Sequence, residues 1–243
     1  MKILKLSAIA LLTGLFVLTG CEKDEETTDP VDPPVATAKD VTLLVRPTLG
    51  DEAIQLNTNY DMDGVEINFS FFKFYMSGIE LMDDAGTVLA DNDAKPIMVS
   101  TEETEVMIGS TEEDHLHMLM FDLGLDDVTN HEDPTTADGV LNDVFMHWGW
   151  NPAAGYKFTR FDYTYNGEAR ESHAAMDVLF RENVGVSVHD VSTSGDQIHI
   201  VLNVDFGAVF AAVPLPNEDN HGATPFNTSY MDILGGGSPF SVE

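Results

Sequence analysis

The segment Met146-His147-Trp148-Gly149-Trp150 carries the densest group of chemically versatile side chains in this chain of 243 residues. Both tryptophans of the sequence stand here, beside one histidine and one methionine. If the segment is extended, Met146, Trp148 and Trp150 share one face and His147 points to the other. Imidazole is a common metal ligand, whereas two large rings can also anchor a core beneath a turn. Both interpretations stay open at this point.

Eight histidines in so acidic a chain offer further metal ligands, since neutral imidazole suits copper, zinc and nickel. His115 and His117 stand two apart, which on a strand would place both rings on one face, although such a solvated pair is more often idle. His131 lies in a polar stretch, and His173 stands at the start of a predicted strand. The sequence gives no comparable signal for the remaining three: His189, His199 and His221.

Asp61-Met62-Asp63-Gly64 begins like a calcium-binding loop, but the later ligands of an EF-hand are missing. An Asp-Gly pair between two apolar runs is first of all a hairpin signal, so we predict a turn here. The sequence holds no nucleophile elbow, no His-Glu-x-x-His helix, no phosphate loop and no dinucleotide fingerprint. We therefore expect no enzymatic turnover, and a redox or metal-dependent enzyme ranks behind binding functions.

Period-two alternation of apolar residues, typical of half-buried strands, is far more frequent in this chain than helical spacing. In the run 67–71, Ile67, Phe69 and Phe71 are predicted to share one face of a strand, and Phe72 is predicted to lie on the other face. Helical patterning is confined to short stretches such as 206–212, and 128–141 is predicted to be a long ordered loop. The clearest alternating runs are 41–45, 67–71, 116–120, 156–165 and 198–204.

Turn signals separate these runs, and short strands with such punctuation are typical of sandwiches and barrels. We predict a mainly β domain, an antiparallel β-sandwich with long ordered loops, over residues 41–243. About 200 residues are enough for one domain with a full core. The turn signals are Asp63-Gly64, Ala85-Gly86, Asn166-Gly167 and Ser194-Gly195.

The first twenty residues have the features of an export signal. Lys2 and Lys5 precede an apolar run over 4–18, which is too short for a comfortable membrane span. The ending Leu18-Thr19-Gly20-Cys21 is similar to the lipobox of bacterial lipoproteins. We predict a signal peptide over 1–20 and lipidation at Cys21, which anchors the chain to the membrane. Cys21 is the only cysteine, so no thiol is left for a disulfide, a thiolate metal site or a nucleophile.

Residues 21–40 are predicted to be an acidic, flexible tether, because this stretch is rich in Pro, Thr and acids and has almost nothing to bury. The formal net charge of −31 becomes −33 once the leader and its two lysines are removed. A polyanion of this size is a poor partner for nucleic acid. The acidic run after the cysteine resembles a surface-export signal and fits a merely soluble linker equally well. The lipoprotein is expected at the outer membrane, facing the periplasm or the cell surface.

Several segments of the domain, taken in their order along the chain, resemble the MbnP-like copper-binding family of bacterial envelope proteins. The resemblance rests on 57–60 with Gly64, on 72–81, on 121–126 followed by Asn130-His131, and on Met146-x-Trp148-x-Trp150 followed by Gly155-Tyr156-Lys157-Phe158. The last segment is the most specific. The family often shows a histidine followed by glycine after this segment, whereas His173 is followed by Ala174, a departure from the pattern.

The resemblance implies a β-sandwich that binds copper, Cu(I) or Cu(II), for storage, delivery or acquisition. It implies a site of histidines, to which some relatives add kynurenine, an oxidised tryptophan. The implied partners are a TonB-dependent transporter and a di-haem peroxidase-type protein. The other hypothesis is a non-metal module that recognises a glycan or a transporter through exposed aromatic rings. The candidate metal ligands are His131, His173, Trp148, Trp150, His147 and Met146.

Overall fold

The computed structural model describes residues 37–188, 191 and 193–243. The predicted leader 1–20, the lipidation site Cys21 and most of the predicted tether 21–40 lie outside the described residues. Among the helices of the described ranges, none combines the length and the apolar character needed to cross a bilayer.

The described residues form two β-sheets and three short α-helices. The strands are β1 Lys39–Leu49, β2 Glu52–Ala53, β3 Asn59–Met62, β4 Val65–Met82, β5 Val88–Asp91, β6 Ile97–Ser100, β7 Thr104–Thr111, β8 Met118–Leu123, β9 Lys157–Tyr165, β10 Glu168–Ala175, β11 Arg181–Ser187, β12 Thr193–Ser194, β13 Gln197–Asp205, β14 Asn220–His221 and β15 Phe240–Val242. The α-helices are α1 Asp127–Asn130, α2 Phe206–Ala212 and α3 Pro225–Gly235, and 3-10 turns cover Gly139–Asn142, Val144–Met146, Pro152–Ala154 and Asp177–Leu179.

The smaller sheet has the order β12-β13-β1-β2, with β7 beside β1 and β15 beside β13. The larger sheet has the order β11-β8-β4-β9-β10-β14, with β3, β5 and β6 also paired to the long strand β4. One hydrophobic cluster takes side chains from both sheets. The predicted β-sandwich is confirmed. One difference is that β1 and β13 run parallel, because most of the domain, and not a hairpin, connects them.

Several predicted elements are present where the pattern placed them. Residues 41, 43 and 45 of β1 and residues 198, 200, 202 and 204 of β13 are all fully buried. Helix α2 has the predicted bounds. The Asp-Gly hairpin is also confirmed: β3 and β4 pair across it, and the Asp61 carboxylate accepts a hydrogen bond from the Gly64 amide at 2.8 Å. Asp63 and Gly64 adopt φ of 54° and 83°, as a tight hairpin turn requires.

The predicted faces of β4 are wrong after Phe69. The pairing of β4 with β9 shifts register between Phe69 and Phe71, and a bulge reverses the alternation of the following side chains. Phe72 is therefore buried in the core. Phe71 lies on the other face, where the guanidinium carbon of Arg160 is 4.4 Å from its ring centroid.

Helix α3 was not predicted from the sequence. Thr224 caps it, accepting a hydrogen bond from the Asn227 amide at 3.2 Å, and Pro225 occupies the first turn. The helix buries Tyr230 and Leu234 together with the polar Asn227, so its buried face does not read as an apolar stripe. This buried asparagine is important for the site described next.

Candidate metal centre

The outer face of the larger sheet carries a group of polar side chains on β9, β10 and β14. In the antiparallel pair, His173 lies opposite Arg160 and Glu171 opposite Asp162. In the parallel pair of β10 and β14, His173 lies opposite His221. Alternate residues of a strand face the same side, so the sheet register alone brings these five side chains together.

The two histidines and Glu171 form a potential ligand set. The imidazole rings of His173 and His221 are stacked, with centroids 4.8 Å apart and planes at 18°. Glu171 Oε2 is 3.3 Å from His221 Nε2 and 3.7 Å from His173 Nε2. One potential ligand atom from each residue lies within 4.8 Å of the other two. Two ligands bonded to one tetrahedral ion at 2.0–2.1 Å are about 3.4 Å apart, and the distance of 3.3 Å between Glu171 Oε2 and His221 Nε2 matches this spacing.

Trp148 covers this histidine pair. Its ring centroid is 5.5 Å from that of His173 and 5.5 Å from that of His221. The loop that carries it is held on the sheet through the Phe145 carbonyl, which accepts hydrogen bonds from Lys157 Nζ at 2.7 Å and from Arg160 Nη1 at 2.9 Å. Although His173 stands on an outer face, it is therefore only 3% exposed.

Asp162 fixes the orientation of the His173 ring. His173 Nε2 and Asp162 Oδ1 are 2.9 Å apart, and Arg160 Nε donates to the same carboxylate. Burial lowers the pKa of His173, against the opposing effect of Asp162. Burial by itself would raise the pKa of Asp162, but the hydrogen bonds from His173 and Arg160 hold it below its usual value. We therefore assign a neutral ring that donates from Nε2 and keeps its lone pair on Nδ1.

Two buried nitrogen atoms at this site have no hydrogen-bond partner among the described residues: His173 Nδ1 and Trp148 Nε1. Lys157 Nζ lies 4.9 Å from the centroid of the Trp148 ring. Burial first and then Arg160 lower the pKa of Lys157 to about 8. At neutral pH the charges of Lys157 and Arg160 balance those of Asp162 and Glu171, so a bound metal adds its own charge to a nearly neutral site.

Asn227 of α3 holds the strands of the site together from the core side. It is fully buried, and its amide nitrogen donates to the carbonyl oxygens of His173 at 3.1 Å, Asn220 at 3.2 Å and Gly222 at 2.7 Å. Its carbonyl oxygen accepts from Ser172 Oγ at 2.8 Å. One side chain thus bonds to β10 at His173 and to the chain on both sides of His221.

The structure places His131 in a different group. His131 Nε2 is 3.3 Å from Asp177 Oδ2 and 3.6 Å from Asp127 Oδ1, and all three side chains are exposed. The buried Asn130 donates to Asp177 Oδ1 at 2.7 Å and accepts from the Tyr156 amide. The predicted pairing of His131 with His173 in one site is therefore not the arrangement observed.

The other candidate ligands of the segment 146–150, Met146, His147 and Trp150, lie in different surroundings. A 3-10 turn covers Val144–Met146, and a second turn is closed by the Asn151 amide on the Trp148 carbonyl. The segment is therefore not extended throughout, and the condition for Met146, Trp148 and Trp150 to share one face is not met. Met146 is fully buried in the hydrophobic cluster. His147 packs edge-on against Tyr156, with centroids 4.8 Å apart, and burial and then Lys157 lower its pKa. Trp150 is 79% exposed.

The remaining histidines have other surroundings. His115 and His117 precede β8 and do not lie on it, and both contact the carboxylate of Asp84. His199 accepts or donates a hydrogen bond with Thr42 Oγ1 at 2.7 Å on the exposed face of the smaller sheet. His189 lies outside the described residues.

Sequence reasoning did not select His221, Glu171 or Asp162. The signal for His221 was present, because His221-Gly222 is the only His-Gly pair in the sequence and fits the His-Gly that the resemblance leads one to expect. Glu171 and Asp162 alternate with core residues along their strands, but among 42 acidic residues this alternation does not mark a site. Only the strand register does.

The fold and the site define a β-sandwich protein with a histidine pair beneath a tryptophan on the outer face of one sheet. The chain belongs to the MbnP family, whose sequence profile matches residues 38–230. Among solved structures it is similar to MbnP from Methylosinus trichosporium, with a TM-score of 0.59 and 14% identity over 85% of this chain and 98% of that chain. At this identity the likeness shows the fold. A comparison with curated proteins gives no match.

Proposed function

We propose that this protein binds one copper ion at His173 and His221, beside Glu171, and stores it or passes it on without catalysing a reaction. The observation that carries the proposal is the Nδ1 atom of His173, which is buried and has no hydrogen-bond partner in the part of the chain that the structure describes. Metal-binding histidines characteristically donate their other N–H to a carboxylate, which is the role Asp162 has here. A free lone pair on a ring so held is suited to a metal.

Copper is the metal that agrees best with both the donors and the family. Imidazole is a borderline ligand that suits copper, and copper lies at the top of the affinity order of the divalent first-row metals. The MbnP family is linked to copper. The balanced charges of Lys157, Arg160, Asp162 and Glu171 support binding of an ion of low charge, such as Cu(I), in a partly buried place.

We include Trp148 in the proposal as the tryptophan that would be converted to kynurenine. An unmodified indole N–H is a donor only and cannot bind a metal. Of the two tryptophans, Trp148 is the one in contact with both histidine rings, and its Nε1 has no hydrogen-bond partner within residues 37–188, 191 and 193–243. A tryptophan oxidised in this position would add a ligand beside the two histidine rings that it contacts.

We further propose that the protein is anchored through a lipidated Cys21 at the outer membrane. The implied transporter and di-haem peroxidase-type protein remain its proposed partners, in metal traffic and in tryptophan oxidation respectively. The anchor is tested by Cys21→Ala, which should move the protein from the membrane fraction to the soluble fraction. A variant that stays in the membrane fraction would contradict the proposed anchor.

The test of copper binding is a competition titration with a chromophoric chelator on the mature protein, under reducing and oxidising conditions. We expect one tight equivalent in the wild type and its loss in both His173→Ala and His221→Ala. His131→Ala is the matched control and should bind as the wild type does. If His131→Ala loses the copper and the other two keep it, the proposed site is wrong. If the wild type binds none, with Trp148 intact or oxidised, copper binding itself is wrong.

A second candidate function is recognition of a glycan or of a transporter through exposed aromatic rings. It is favoured by the exposure of Trp150, 79%, and of Phe145, 65%, on one loop. This function predicts that Trp150→Ala and Phe145→Ala weaken binding to a glycan array or to the transporter, whereas His221→Ala has no effect. The burial of Trp148 leaves one indole, not two, for such recognition.

A further inference from the structure

Trp150 places an indole ring in solvent and in direct contact with a buried one. Tryptophan usually buries most of its large ring, yet 79% of Trp150 is exposed and only 7% of Trp148. A turn closed by the Asn151 amide on the Trp148 carbonyl, at 2.9 Å, folds the second ring back onto the first. The two ring centroids are 5.5 Å apart and the rings meet edge to face at 82°.

The contacts continue inward to the histidine pair. Trp148 lies 5.5 Å, between centroids, from each of His173 and His221. An unbroken series of ring contacts therefore runs from solvent to the candidate metal ligands. Indole is among the side chains most easily oxidised by one electron, and electron transfer between rings in contact is fast compared with a single long step.

The burial of Trp148, which is only 7% exposed, keeps its ring out of direct contact with an oxidant in solvent. Trp150, by contrast, faces solvent and can meet such an oxidant directly.

We infer that Trp150 is an electron relay between the protein surface and the buried Trp148 and histidine pair. A strong one-electron oxidant outside the protein takes an electron from Trp150, and Trp150 recovers it from Trp148. The net change is one electron gained by the oxidant and one lost by Trp148, with no covalent bond formed or broken in the transfer. An oxidant at the surface can thus act on the buried site without entering it. The inference rests on the proposed function only in treating the histidine pair beneath Trp148 as the metal site.

The test uses metal-free mature protein and photogenerated tris(bipyridyl)ruthenium(III), with persulfate as the final electron acceptor. Two successive one-electron oxidations of a ring, with attack by one water, replace a C–H by C–OH and release two protons. Fragment mass spectrometry then assigns the added oxygen to position 148 or 150. We expect oxygen at position 148 in the wild type and an about ten-fold slower appearance there in Trp150→Phe, which keeps the ring contact but is hard to oxidise. Trp150→Tyr retains an oxidisable ring and should restore much of the rate.

Phe145→Leu is the matched control, since Phe145 is an exposed aromatic residue of the same loop, and it should leave the rate at position 148 unchanged. Equal oxidation of Trp148 in the wild type and in Trp150→Phe would overturn the relay. So would a rate that falls equally in the Phe and Tyr variants, because the ring would then act only by its shape. The outcome does not depend on copper, so failure of the relay and failure of the copper site are distinguishable. Trp150→Phe should also bind copper as the wild type does.

Discussion

His173 and His221 are stacked on neighbouring strands, with ring centroids 4.8 Å apart, although 47 residues separate them in the sequence. Their pairing follows from the parallel register of β10 and β14, in which the two residues lie directly opposite each other. Such cross-strand pairs are the closest side-chain neighbours that a sheet provides. The candidate metal centre is therefore a property of the sheet edge, and everything that holds β14 in register also holds the site.

The hydrogen bond from His173 to Asp162 predicts that Asp162→Asn lowers the affinity for copper. A neutral amide does not hold the ring N–H as a carboxylate does, so the ring loses its fixed orientation and Nδ1 its basicity. We expect copper affinity to fall by roughly 10–100-fold, measured by chelator competition. Asp232→Asn, which removes a carboxylate from an ion pair with Arg181, should leave the affinity unchanged. Wild-type affinity in Asp162→Asn would show that this bond does not support the site.

Loss of the buried amide in Asn227→Ala should lower both stability and metal affinity. The substitution leaves three backbone carbonyl oxygens and one serine hydroxyl without their partner in the core. We expect the free energy of unfolding in urea to fall by about 3 kcal/mol, because buried polar groups are costly to leave unpaired. Asn142→Ala, which removes one exposed side-chain bond, should change it by less than about 0.5 kcal/mol. Similar small losses in both variants would contradict the proposed role of Asn227 in holding the strands of the site together.

Gly155 and Gly167 allow two reasons for requiring glycine to be tested separately: a positive φ and a lack of space for a Cβ atom. Both have positive φ, of 66° and 83°, so alanine strains the backbone at either position. A Cβ at Gly155 would also lie 2.4 Å from the Asn130 carbonyl oxygen, whereas the space at Gly167 is open. We expect Gly155→Ala to lose about 1–3 kcal/mol more stability than Gly167→Ala in thermal or urea unfolding. Equal losses of stability would mean that the backbone around Gly155 and Asn130 can shift to accommodate a Cβ atom at no cost in free energy.

Lys157 predicts a distinct pH dependence of stability. Its pKa in the folded protein is about 8, lowered by burial and by Arg160 from the ordinary value of 10.5. Between these two values the unfolded chain binds more protons than the folded one, so stability rises with pH across this window. The lysine contribution amounts to about 3 kcal/mol between the two limits.

Lys157→Met should remove that rise, and the difference between its stability and that of the wild type, measured by urea unfolding from pH 7 to pH 11, should change across the window. Tyrosines and exposed lysines titrate in the same range, but they do so equally in both proteins and cancel in the difference. Parallel curves for the two proteins would contradict a lowered pKa for Lys157.

Local patterns in the sequence were sufficient for much of the fold. The alternation in β1 and β13 and the bounds of α2 follow from side-chain periodicity, which each segment carries by itself. The reversal of the buried and exposed faces of β4 after Phe69 could not be predicted from the sequence, because a bulge depends on the pairing with the partner strand. Helix α3 was missed because its buried Asn227 interrupts the apolar stripe, and its bonding partners come from other strands.

The sequence by itself determined the family and part of the site: the segment around Trp148 and the histidine at 173. Only the tertiary structure decided which of these residues meet. It joined His173 to His221 and Trp148, left His131 with Asp127 and Asp177, and exposed Trp150 while burying its neighbour. The physical reason is that a side chain's type is fixed locally, whereas a metal site requires atoms within a few ångströms of one another. Strand register and loop turns set those distances, and both depend on contacts between residues far apart in the chain.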